Sequence, residues 1–194
     1  EMTETLAYAP NSNPTYDVDS VDSTVMRYNF NNENGKDYSG NGYDLSEQVN
    51  VSYDEGRTSD ALTLKGNESY VETPVENLGI NSTIEFWVKR DANSTDEEQI
   101  LFESDKGAIK AVQKETGKLG FSCEWHDYSF NYELPKGEWV KIKLDTALTV
   151  TKLYVNDELV DTLGINATGG KWASLVIPLN RIGSTEKAFQ GQID

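Results

Sequence analysis

Cysteine is all but missing from this chain. Cys123 is the only one in 194 residues, so no disulfide can close within it. Small animal secreted domains lean on such bridges, whereas bacterial exported proteins often manage without them. Histidine is equally scarce, with His126 alone. No Gly-x-Ser-x-Gly elbow supplies it with a nucleophilic serine, so a solvated turn residue accounts for it more simply than acid–base catalysis. Positive charge is in deficit: 17 Lys and Arg stand against 33 Asp and Glu, a formal net charge of −16. Nucleic acid and anionic lipid surfaces would be repelled, which excludes them as partners. No apolar run approaches the roughly 20 residues of a membrane span, and no signal peptide is visible.

What is present is a period of two. Residues 1–23 are rich in Asn, Ser, Thr, Asp and Pro and read as a linker or N-terminal arm; residues 24–194 read as one domain. Val25 to Phe30 reads as the first strand, and Val49 to Tyr53 as a short second one. A meander follows over 61–65, 69–73, 82–90, 98–104, 107–114, 117–124, 128–134, 138–145, 150–155, 158–163 and 173–183. Gly107, Gly117 and Asn156-Asp157 supply turn positions. In 138–145, Trp139, Lys141 and Lys143 alternate with Val140, Ile142 and Leu144, so a strand is expected rather than a helix. The fold class is therefore all-β: an antiparallel two-sheet β-sandwich.

One ordered succession of pieces adds to this. Asp37-Tyr-Ser-Gly-Asn-Gly-Tyr-Asp44 is followed by Asp60-Ala-Leu-Thr-Leu-Lys-Gly66, Ser69-Tyr-Val-Glu-Thr-Pro74 and Thr83-Ile-Glu-Phe-Trp-Val-Lys89. Later come Glu138-Trp139-Val140, Tyr154-Val-Asn-Asp-Glu-Leu159, Arg181-Ile-Gly183 and Phe189-Gln-Gly-Gln-Ile-Asp194. In that order, over about Val25 to Asp194, the pieces resemble the LamG-like, concanavalin A-like lectin and glucanase modules. The resemblance implies a jelly-roll sandwich that binds carbohydrate or supports an enzyme that does. Against the family pattern, Ile193-Asp194 falls where a final strand would begin, and the chain reads as an excised piece of a larger polypeptide. A narrower likeness covers Ile100-Leu-Phe-Glu-Ser104, Lys110-Ala-Val-Gln-Lys114, Lys118-Leu-Gly-Phe-Ser122 and Asp127-Tyr-Ser-Phe-Asn-Tyr132. These resemble accessory modules of secreted bacterial β-N-acetylhexosaminidases of glycoside hydrolase family 20. A secreted or cell-surface bacterial location, and a catalytic domain in the same polypeptide as partner, are what that resemblance implies.

Three constellations could carry chemistry. In the first loop Asp37, Asn41 and Asp44 lie close together, and Gly40 and Gly42 let carbonyls converge, as a structural Ca²⁺ with about 6–8 oxygen ligands needs. The family resemblance would add Asp194 from the closing strand; the same composition also suits a plain turn. The second is Trp125-His-Asp-Tyr-Ser-Phe-Asn-Tyr132. Sugars lie on aromatic rings and bond to carboxylates at the rim, so Trp125, His126, Asp127 and Tyr128 form a candidate glycan site, with Trp172 as a further ring after Gly169-Gly170. Alternatively, the rings Tyr128, Phe130 and Tyr132, which share a face, fill the core. Trp87 and Trp139 read as structural, and Cys123 as a small inward hydrophobe. Third, glucanases of this fold need two carboxylates across a cleft. The nearest pair, Glu124 and Asp127, spans only a turn, so catalysis by this domain is not expected. A glycan-binding accessory module, or a structural module that packs on a catalytic domain without binding sugar, are the two readings left open.

Overall fold

The structure, a computed structural model, describes residues 24–33, 35–123, 126–164 and 175–194. Sixteen strands run through them. In chain order the first eight are β1 (Gln48–Val49), β2 (Val51–Glu55), β3 (Asp60–Lys65), β4 (Ser69–Glu72), β5 (Asn77–Leu78), β6 (Thr83–Arg90), β7 (Gln99–Ser104) and β8 (Gly107–Val112). The rest are β9 (Gly120–Cys123), β10 (His126–Ser129), β11 (Trp139–Thr146), β12 (Val150–Val155), β13 (Glu158–Gly164), β14 (Ile177–Pro178), β15 (Arg181–Ser184) and β16 (Gln190–Ile193). One seven-stranded sheet, sheet A, has the order β10-β9-β8-β7-β15-β4-β1; sheet B, also seven-stranded, has β13-β12-β11-β6-β16-β3-β2, and β14 pairs with β5. Within both sheets the paired strands are antiparallel.

The two layers meet because alternate side chains point the same way. Phe86 and Val88 of β6, Val140, Ile142 and Leu144 of β11, and Leu153 of β12 are buried from sheet B. Phe102, Ile109 and Phe121 meet them from sheet A. The Phe86 and Phe102 rings pack edge to face with centroids 5.0 Å apart. The antiparallel sandwich expected from the periodicity is what forms.

Three expected strands differ, one of them 128–134, which is found instead at His126–Ser129. Residues 25–30 form no strand. Their backbone partners come from the 35–45 loop: Arg27 N–H donates to Asp37 Oδ1 at 2.9 Å, and the Arg27 carbonyl accepts from Tyr38 N–H at 2.7 Å. Phe30 then turns into positive φ (55°), which stops any extended run. The expected 173–183 strand divides into β14 and β15, with residues 173 and 174 outside the described part. Pro178 supplies no N–H to continue the ladder.

Candidate functional site

The β9–β10 hairpin, which carries most of the expected glycan site, is held from beneath by one side chain. Gln113 is buried, and its amide donates to the carbonyls of Phe121 (3.2 Å) and Tyr128 (3.1 Å), clamping the strands together. The register pairs Phe121 with Tyr128, Ser122 with Asp127 and Cys123 with His126, so the turn is tighter and earlier than the sequence suggested. Alternation then sorts the expected site residues. Tyr128 is 7 % exposed and packs on Phe121, centroids 5.1 Å apart, inside the core with Phe130. Its ring is not open to a ligand; the core-filling alternative describes it. His126 lies over Tyr128 at 6.1 Å. Asp127 alone of the three stands outward and exposed, accepting from Ser122 Oγ. Trp125 and Trp172 fall outside the described residues, as does Glu124. Cys123 is partly buried against the core.

Asp127 opens onto a larger feature. The outer face of sheet A carries a groove of about 700 Å³ lined by β7, β8, β9 and the segment after β15. Its lining carries a chain of charges, in which Lys110 bonds Glu98 and Glu98 accepts from Lys187 at 2.8 Å, with Asp127 beside the groove 3.9 Å from Lys110. The Glu98 and Lys110 side chains are only 13 % and 11 % exposed. Burial pushes the Glu98 carboxyl upward, but the two lysines outweigh it and hold it below the usual range. Next to it Glu103 accepts from Arg181 Nε (2.7 Å), Ser184 Oγ (3.0 Å) and Thr185 N–H (3.1 Å). The sequence reading missed Glu98, Glu103 and Lys110. Their strands were legible, but the charges come together across three strands and a loop nearly 90 positions away. Cys123 and Val176 also line the groove, two and four positions in sequence from Trp125 and Trp172.

The Asp37 loop has a different character. Asp37 is 4 % exposed, and its carboxylate accepts from Arg27 N–H, Ser39 N–H (2.9 Å), Ser39 Oγ (2.7 Å) and Tyr43 N–H (3.0 Å). Burial raises this carboxyl; the four donors prevail and lower it. Asp44 accepts the Asp37 amide at 2.8 Å, and the Asn41 side chain donates to the carbonyls of Thr24 and Val25. Asp194 is tied elsewhere: it exchanges backbone hydrogen bonds with Trp87, and its carboxyl accepts from the Arg57 amide. Among the described residues no three His, Cys, Asp or Glu side chains gather as metal ligands. Both Asp37 oxygens are thus taken by four donors, Asp44 and Asn41 hold the same loop by hydrogen bonds, and Asp194 is tied to Trp87 and Arg57.

Sheet B shows a further departure. Trp87 and Trp139, read as structural, face outward and are half-buried, in phase with Lys89, Lys141 and Lys143 and out of phase with the buried Phe86, Val140 and Ile142. The signal was present: Trp139 alternates with valine and isoleucine, not with lysine.

A two-sheet antiparallel sandwich with its polar groups on outer faces and loops sets the fold beside one known family. Residues 65–194 match Laminin_G_3, the concanavalin A-like lectin/glucanases superfamily. The chain belongs to this family. Among solved structures, the Laminin_G_3 chain is similar to domain 4 of AbnA, a GH43 extracellular arabinanase from Geobacillus stearothermophilus, in complex with arabinotriose. The TM-score is 0.64 at 19 % identity, covering 87 % of this chain and 88 % of that one. The botulinum neurotoxin serotype D binding domain (TM-score 0.57, 14 % identity) is matched over 87 % of this chain and 46 % of its own. The binding domain of Paraclostridial Mosquitocidal Protein 1 (TM-score 0.50, 22 % identity) is matched over 82 % and 44 %. This chain thus spans under half of the two toxin structures, and at these identities the likeness is one of fold. No curated protein sequence matches the chain. Of these three structures, the two toxin ones are binding domains and the third holds arabinotriose.

Proposed function

We propose that this domain is a non-catalytic, carbohydrate-binding accessory module, with the groove on the outer face of sheet A as its glycan site. The observation that carries the reading is the Asp127–Lys110–Glu98–Lys187 chain with Glu103 beside it. Fixed, half-sheltered acceptors and donors alternate there at the spacing of neighbouring strands, which suits the donor–acceptor hydroxyls of a neutral sugar. The groove volume lies in the range of small-ligand sites. Glu98 and Glu103 are each neutralised by cations, so they serve as acceptors and not as an acid–base pair. Trp125, His126, Asp127 and Trp172 are the further residues proposed to contact the glycan. The rest of the polypeptide would be a secreted bacterial glycoside hydrolase. The likeness of 100–132 to hexosaminidase modules favours a β-N-acetylhexosaminidase.

Isothermal titration with arabinotriose, N-acetylglucosamine and galactose tests the site. At least one should bind, and Glu98→Gln with Glu103→Gln should weaken that binding by about tenfold, or about 1.4 kcal/mol, while the circular dichroism spectrum is kept. Silence toward all three, or binding indifferent to both substitutions, refutes the groove. A docking role without sugar has one observation in its favour. Edge strand β13 leaves Leu159 54 % and Val160 39 % exposed, which suits packing against a neighbouring domain.

A further inference from the structure

Strand β6 is paired along its whole length on one side only. Its Trp87 amide and carbonyl both bond Asp194 on the β16 side. In an antiparallel ladder every second residue turns its backbone to the same neighbour, so the next groups on that side belong to Glu85 and Thr83. The ladder with β16 spans Arg90 to Val88, and among the described residues no backbone group bonds Glu85 or Thr83 from there.

A second open edge accompanies this one. Residues 25–30 alternate as a strand would, with Met26, Tyr28 and Phe30 packed on the core and Val25 and Arg27 exposed. Arg27 commits its amide and carbonyl to the 37–38 loop, and the Val25 carbonyl accepts from Ser39 and Asn41. By the same alternation Met26 and Tyr28 turn their backbone groups away from that loop, and neither has a backbone partner among the described residues. Both edges line one cavity of about 720 Å³, whose apolar lining includes Phe86, Phe102 and Ile182.

From this juxtaposition we infer that the cavity is a docking slot for the chain's own N-terminal arm, and that Thr15-Tyr-Asp-Val-Asp19 enters it as a further strand. The arm joins the described chain at Thr24, which itself lines the cavity. Tyr16 and Val18 alternate with Thr15, Asp17 and Asp19, and Pro14, with no N–H to donate, bounds the segment at its start. The connection from Ser20 to Thr24 is five residues, a hairpin length. It sets Val18 opposite Met26, Tyr16 opposite Tyr28 and Asp17 opposite Arg27. The first two pairs face the cavity, and the third joins opposite charges on the outside. Arg27 is exposed and forms no salt bridge among the described residues, so Asp17 meets a cation that is free to pair.

Native-state hydrogen exchange of the whole chain, followed residue by residue by NMR, tests this. With the slot filled, the amides of Met26, Tyr28, Thr83 and Glu85 should exchange at least about tenfold more slowly than free peptide. Val18→Asp should return all four to within about twofold of the free-peptide rate, while Val88 and Ile142 keep their protection and so report an intact core. Asp17→Arg and Arg27→Asp should each lower the protection severalfold, and the two together should restore it, because a cross-strand pair survives the exchange of its charges. Four outcomes overturn the inference: free-peptide rates in the parent chain, protection that outlasts Val18→Asp, a double exchange that restores nothing, and protection that grows with protein concentration. The last would give the slot to a second copy of the chain.

Discussion

Asp37 shows how one side chain can tie a loop together. Its two oxygens satisfy three backbone amides and a hydroxyl, and through Arg27 they bind residues 24–28 to the loop. Removing the carboxylate strands buried donors, which costs more than the hydrogen bonds themselves contribute. Asp37→Ala is expected to lower stability by about 2–4 kcal/mol in urea denaturation, and Asp37→Asn by about half as much, since one acceptor oxygen remains. Calcium is the control. Because both Asp37 oxygens already take donors, millimolar Ca²⁺ or EDTA should move the melting temperature by less than about 1 °C. A rise of several degrees with Ca²⁺ would mean that the loop is remade around a cation.

At the scale of strands, a prediction rests on Gly183 in β15. This residue sits at φ +100°, and a Cβ there would collide with the Ser69 carbonyl oxygen of the neighbouring β4. Gly183→Ala therefore both strains the backbone and pushes two central strands of sheet A apart. A loss of about 2–4 kcal/mol is expected from equilibrium unfolding, and a loss under about 0.5 would refute the close approach.

Most strands from β3 to β13 were legible in the sequence because their residues alternate and their turns carry Gly or Asn-Asp; β5 was not expected, and β10 falls earlier than the expected 128–134. Asn156 and Asp157 do adopt positive φ at the β12–β13 turn. Residues 25–30 carry the same apolar–polar pattern, yet no strand forms, because pattern reports which face is buried and not whether a neighbouring strand exists. The candidate site was legible only in part. Asp127 and the hairpin follow from local signals, whereas Glu103 meets Arg181 across 78 positions, a pairing that sheet order decides. Tyr128 shows why: a ring suits either a core or a sugar, and its phase with neighbouring buried residues decides between them.

For the whole molecule, charge sets the response to pH. With 16 excess negative charges at neutrality, the folded chain repels itself, and protonation toward the isoelectric point near 4.4 relieves this. Asp37, Asp54 and Glu98 act in the opposite sense. Their folded pKa values are lowered, so their stabilisation is complete above the unfolded values of about 3.9–4.3 and is lost as pH falls through the lower folded ones. Asp194, raised by burial, loses its cost when protonated and adds to the first effect. Tyr28, raised by burial and then by Asp37 and Asp44, contributes below about pH 10 and ceases to as pH climbs through its folded value. The melting temperature should therefore rise from about pH 7 to about pH 5, then drop below about pH 3.5. Salt separates the causes. About 0.5 M NaCl should flatten the rise, which comes from screened surface repulsion, while leaving the acid drop, which comes from the sheltered Asp37 and Glu98. A monotonic fall from pH 7 to 5 in low salt would show instead that local carboxylate contacts, and not the net charge, govern stability near neutrality.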